Sequence, residues 1–115
     1  MTAQKTASKI IINKKEYTRP QKMDTMAYLD YLDVRERINA IDEKENSMYK
    51  RKDFEDMVEC IVHSFGDQFT AADVMGKDGL SPADIMAQFI FIELAQAEEV
   101  NKRAEKLQKN FSGSK

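Results

Sequence analysis

Asp53–Leu94 reads DFEDMVECIVHSFGDQFTAADVMGKDGLSPADIMAQFIFIEL, and its punctuation decides the fold. Phe54, Met57, Val58, Ile61, Val62 and Phe65 recur at helical spacing, so they share one broad face that must be buried. Gly66 supplies the left-handed residue that closes such a helix. Thr70 then stands as an N-cap with Asp73 three residues on, and Ser81-Pro82 repeats the signal with Asp84. Two short polar breaks therefore separate three helical pieces, over about 53–65, 71–75 and 81–109.

Working outward from this stretch, Ile85 to Leu94 is apolar on several sides, which predicts a central and well-buried position for that part of the last helix. The expected core is Phe54, Met57, Val58, Ile61, Val62, Phe65, Phe69, Ile85, Phe89 and Ile90. Beyond Leu94 only a narrow seam continues. Ala97, Val100, Ala104, Leu107 and Phe111 are spaced by three, four, three and four residues, the pattern of a coiled-coil stripe. Two heptads are too few to stand alone, so the seam must pack on the domain itself or on a partner helix.

Toward the N-terminus, Lys9 to Ile12 and Glu16 to Thr18 flank Asn13-Lys14 as a β-hairpin over 9–19, ended by Pro20. Asn13 tolerates a positive φ, whereas Lys14 stands where Gly is preferred. A lone hairpin is barely stable in water, so it should lie on the helices through Ile10 or Ile12 and Tyr17. Asp24 caps a helix over about 24–40, with Met26, Leu29, Leu32, Val34, Ile38 and Ile41 expected toward the core. The charged stretch from Asp42 to Lys52, containing Asn46-Ser47, reads as a linker. The fold class is thus α+β, mostly α: an N-terminal hairpin and a bundle of three to four helices, the last one long. Residues 9–111 make a single domain, with 1–8 and 112–115 as flexible ends.

Composition narrows the function. At 42% hydrophobic and 33% charged the chain reads as soluble and globular, and its longest apolar run, broken by Gln88 and Glu93, is too short to cross a bilayer. Its one cysteine, Cys60, excludes an internal disulfide and agrees with a reducing cytoplasm. The net charge of -2 conceals segregation: residues 1–23 carry +5, residues 24–100 carry -11 and residues 101–115 carry +4. An acidic body with basic ends argues against nucleic acid as a partner, because recognition surfaces concentrate Lys and Arg.

Catalytic chemistry is sparse. Cys60 and His63 lie three apart on one helix, but no further metal ligands stand at a recognisable spacing, so neither a metal nor a cofactor is expected. There is no Gly-rich phosphate loop, no serine elbow and no second histidine. Enzyme activity is not expected. The alternative is a small helix-turn-helix DNA-binding regulator, with Val74, Met75, Gly79, Leu80 and Ile85 near the required spacings. Its second helix, however, would present Ser81, Ala83, Asp84 and Gln88 to the groove, with Asp78 beside them, where phosphates call for cations.

Lys9–Tyr17, the Tyr28–Leu32 segment leading to Arg35, the Asp53–Glu59 helix start and, above all, Phe65-Gly66-Asp67-Gln68-Phe69-Thr70 with Asp73-Val74 and Gly79-Leu80 together resemble the tail assembly chaperones of long-tailed bacteriophages of Gram-positive bacteria. The likeness covers about Lys9 to Phe91, and Lys14 replaces a Gly common in that family's hairpin turn. The resemblance implies a small helical protein of the host cytoplasm, not expected in the mature virion. It implies binding of the tape measure protein, keeping it soluble before the tail tube forms around it. Further candidate partners on the same ground are the tail tube protein, a longer frameshifted form of the chain, and other copies of the chain. The seam from Ala97 to Phe111 is the candidate partner-binding surface.

Overall fold

Helix α2 (Arg51–Ser64) is the element around which the others are laid. Helices α1 (Thr25–Asp42) and α4 (Pro82–Gly113) flank it, the single turn α3 (Ala71–Met75) closes one end, and the hairpin of β1 (Lys9–Ile12) and β2 (Lys15–Thr18) completes the fold. The structure is a computed structural model that describes residues 8–20, 22–44 and 48–113, with side chains as far as Lys109. The expected arm before Ser8, the Asn46-Ser47 part of the linker and Ser114-Lys115 lie outside the described residues.

The stripe of α2 is buried as its spacing requires. Met57, Val58, Ile61, Val62 and Phe65 are all core, joined by Phe69 after the turn, while Phe54 is half-buried with its ring edge-on to Tyr49 at 6.0 Å. Lys50, preceding α2, has no side-chain acceptor, so the cap works in reverse: the buried Asp53 carboxylate accepts the Lys50 backbone N–H at 2.7 Å. At the other end Gly66 (φ 70) donates to the His63 carbonyl and Asp67 (φ 59) to the Val62 carbonyl, each at 3.0 Å. This double closure occupies carbonyls that the helix end would otherwise leave open.

The next two helices start as their polar residues dictate. Thr70 Oγ1 accepts the Asp73 N–H and the Asp73 carboxylate accepts the Thr70 N–H, a reciprocal box at 3.2 and 3.0 Å. The bond from the Thr70 backbone N–H, with the Thr70 hydroxyl adding to it, holds the Asp73 carboxyl below the usual carboxylate range. Ser81 Oγ accepts the Asp84 N–H at 3.1 Å to open α4. Between the two helices Gly79 is forced by space, since a Cβ there would collide with the carbonyl oxygens of Val74 and Asp73. That closeness lets Leu80 N–H reach the Val74 carbonyl at 2.8 Å.

The hairpin pairs Ile10 with Tyr17 and Ile12 with Lys15, so Ile10 and Ile12 share the face turned to the core, and both are fully buried. Its turn puts both Asn13 (φ 54) and Lys14 (φ 66) in the left-handed region, the two-residue turn that matches strand twist. It is fixed at both ends. Asn13 N–H donates to the Asp78 carbonyl at 2.9 Å, and at the open end the Arg19 guanidinium donates to Ser64 Oγ at 2.6 Å. Arg19 lies 4.4 Å over the Phe65 ring, and burial pushes its guanidinium down to about 10.

Three expectations need correction. Met26 and Leu29 are exposed, at 65% and 46%, because the inward phase of α1 is set by Tyr31 and Ile38, seven residues and two turns apart. Ile90 is 57% exposed rather than core, and Leu94 is 52% exposed. Helix α4 has neighbours on one side only, so burial follows Ile85, Gln88, Phe89 and Ile92 along a single stripe. Lastly, α4 runs past the expected end near Lys109 to Gly113, because nothing in Asn110-Phe111-Ser112 interrupts helical hydrogen bonding.

Candidate functional site

A helix of 32 residues is about 48 Å long, against a longest molecular dimension of 56 Å. The body supports only its first half. After the partly buried Ala95, Gln96 and Glu99, every side chain from Val100 to Lys109 is exposed. Of the candidate partner-binding residues, Ala97 stands at the edge of the body and the others fall beyond it: Ala97 and Ala104 are exposed, and Val100 and Leu107 are each 61% exposed. Phe111 is helical in backbone, and its side chain lies outside the described residues. Among the described residues the seam therefore borders the domain only at Ala97 and Val100, and Ala104 and Leu107 stand clear of it.

The exposed Ile90 and Leu94 lengthen the stripe in a way the sequence reading missed. Ile90, Ala97 and Ala104 are successive heptad positions, as are Val100 and Leu107, so the apolar line runs from the body onto the free half of the helix. The signal was present in the spacing, but the density of apolar residues around Ile90 masked which side was buried. Off the stripe, Glu98 pairs with Lys102 at 3.9 Å and Glu99 with Arg103 at 2.9 Å, each one turn apart.

Beside the stripe lies a cleft of about 190 Å³ between α1 and α4, floored by Met57 of α2 and walled by Tyr31, Ile38, Met86, Phe89 and Ile90. The Arg35 guanidinium donates to the Glu93 carboxylate, joining the two helices. A shallower depression lined by Tyr28, Gln96, Ala97 and Val100 lies further along α4. Burial, with Glu93 adding to it, raises the Tyr31 phenol well above its ordinary value, so that group stays neutral. On the far side of α1, Arg37 donates to Asp53 at 3.2 Å and to Asp56 at 2.7 Å, and these bonds keep it charged while tying α1 to α2.

The groups weighed for chemistry are dispersed. Cys60 is buried, and burial pushes its thiol up to about 12, which suppresses the thiolate. His63 is exposed and lies 2.9 Å from Asp67 and 3.6 Å from Glu59. Among the described residues no three His, Cys, Asp or Glu side chains gather as a metal site would require. The α3–α4 corner, proposed for a DNA reader, has a first helix of only five residues, with Asp78 and Asp84 around the turn and Lys77 as its one cation.

What the geometry does offer is an apolar helix face beside an apolar cleft, the equipment of a module that holds another helix. The chain belongs to the phage tail chaperone protein family, whose model matches residues 1–112. No curated protein and no solved structure matches it. Family membership gives the chain a role in phage tail assembly with tail components as partners and suggests a non-enzymatic protein.

Proposed function

We propose that this chain binds the tape measure protein of its phage in the host cytoplasm and keeps it soluble until the tail tube assembles around it. The observation that carries this reading is the stripe Ala97, Val100, Ala104, Leu107 at heptad spacing, continued toward the body by the exposed Ile90 and Leu94: apolar and open on its outer side among the described residues. A long helical client repeats such faces along its length, so many copies can bind side by side through individually weak contacts. The acidic body, -11 over residues 24–100, keeps the coated client soluble. The reading extends to a longer frameshifted form continuing from the end of α4, which mass spectrometry of infected cells would detect as peptides diverging near residue 111.

Co-expression tests it. The tape measure protein should remain soluble and co-purify with the intact chain, and should precipitate when Val100 and Leu107 are both replaced by Asp. Charges at a buried apolar contact cost several kcal/mol each, on the order of 2 or more, so capture should be lost outright. A tape measure protein equally soluble without this chain overturns the role.

A further inference from the structure

The charges of α4 are divided along its length. Residues 82–100 carry Asp84, Glu93, Glu98 and Glu99 and no Lys or Arg, whereas residues 101–113 carry Lys102, Arg103, Lys106 and Lys109 against Glu105 alone. The exposed apolar residues are disposed symmetrically about the junction. Ile90 and Leu107, and Ala97 and Val100, lie at equal distances from the point between Glu98 and Glu99, and Leu94 and Ala104 lie one residue short of equal.

We propose that a second copy of this chain docks antiparallel on the stripe, centred between Glu98 and Glu99. In that register Ala97 meets Val100 of the second copy and Ile90 meets Leu107, while Glu93 and Leu94 stand level with Ala104 and Arg103 of the second copy, which brings an acid beside a base. The two central layers, Ala97 on Val100 and Val100 on Ala97, each set an alanine against a larger side chain, which lets the backbones approach closely and fills the space between them. The basic half of each helix then runs along the acidic half of the other. A parallel pair would set acid beside acid and base beside base, so charge selects the antiparallel arrangement. Glu98 and Glu99 come near each other across the centre, but they lie off the stripe and are already paired with Lys102 and Arg103 on their own helix. The residues bordering the seam on the free half are Asn101, Arg103 and Gln108, which place no like-charge cluster at the contact.

The bodies favour the same arrangement. Each free second half reaches back along the supported first half of the other helix and covers Ile90 and Leu94, which the chain by itself leaves exposed. Because α4 is already helical from Pro82 to Gly113 in the single chain, pairing incurs little ordering cost. On the reading that this face also takes a client helix, the second copy occupies it until a client displaces it. The pairing itself can be tested with the chain alone, so a negative result here is separable from a failure to bind the tape measure protein.

Sedimentation equilibrium of the full chain from low to high micromolar concentration should show a reversible monomer–dimer equilibrium that weakens with added salt. Leu107→Glu should lower association at least tenfold and leave the melting temperature of the dilute protein unchanged, since Leu107 is exposed in the single chain. Orientation is read by mixing Ile90→Cys with Leu107→Cys under mild oxidation, Cys60 being buried. Antiparallel pairing gives the mixed disulfide, because identical positions then stand roughly 25 Å apart along the axis. Self-linked Ile90→Cys dimers, a dimer indifferent to Leu107→Glu, or a monomer at every concentration would each overturn the proposal.

Discussion

Replacing Gln88 by methionine should stabilise this protein, although it removes a polar group from the middle of the fold. Gln88 is fully buried on α4, and neither its side-chain nitrogen nor its oxygen has a hydrogen-bond partner among the described residues. An amide taken from water with nothing in return costs about 1–3 kcal/mol. Methionine keeps the unbranched length, so it fills the same space without a large cavity or clash. The expected gain is therefore about 1–3 kcal/mol, or a rise in melting temperature of roughly 4 °C per kcal/mol for a chain of this size. Circular dichroism melts and urea titrations of the two proteins measure it, and an unchanged urea slope would confirm that the native fold is retained. Gln88→Glu, which buries a charge at the same place, should destabilise strongly. A methionine variant no more stable than the parent would show that the amide is satisfied in solution and would refute the reasoning.

Lys14 (φ 66) occupies a left-handed position that glycine adopts freely, so Lys14→Gly should raise stability by about 0.5–1 kcal/mol, read by urea denaturation; a loss would mean the turn relaxes elsewhere. Asp73, whose carboxyl is held below its ordinary 3.8 by the Thr70 bonds, contributes stability that is fully present above that value and is lost as pH falls through the lower folded value. Asp73→Asn should accordingly lower stability at neutral pH and flatten the acid limb below about pH 4, and an unchanged acid limb would count against the box. Cys60, with its thiol raised to about 12, should resist iodoacetamide at pH 8 in the native protein and react promptly in urea, whereas labelling at the rate of a free thiol would place it at the surface.

Punctuation was the most legible part of this sequence. Gly66, Thr70-Asp73 and Ser81-Asp84 act on the backbone next to them, so their caps could be read without knowing the rest of the chain. Facing was legible only where polar and apolar residues alternate clearly. The α2 stripe satisfies that condition. Ile85–Leu94 does not, because its apolar residues leave the buried side undetermined, and only the position of α2 settles that Ile92 is buried and Ile90 is exposed. In α1, Tyr31 rather than Met26 points inward because the aromatic ring reaches Phe89 at 5.1 Å, a long-range contact that local periodicity does not encode. The seam beyond Ala97 was visible as a pattern, but whether it packed at home depended on where the body ends. Arg19 gave no sequence signal, since its role depends on Ser64 and Phe65, far away in the chain.

The division of α4 has a consequence for how such a chain can change. Residues 85–92 answer to the core, where a substitution is tested against the fold, whereas the side chains of residues 103–109 are all exposed and answer only to whatever binds them. The free half can therefore vary in step with a diverging partner at little cost to folding. Binding preference should accordingly be a transplantable property, carried between family members by exchanging the last turns of one helix.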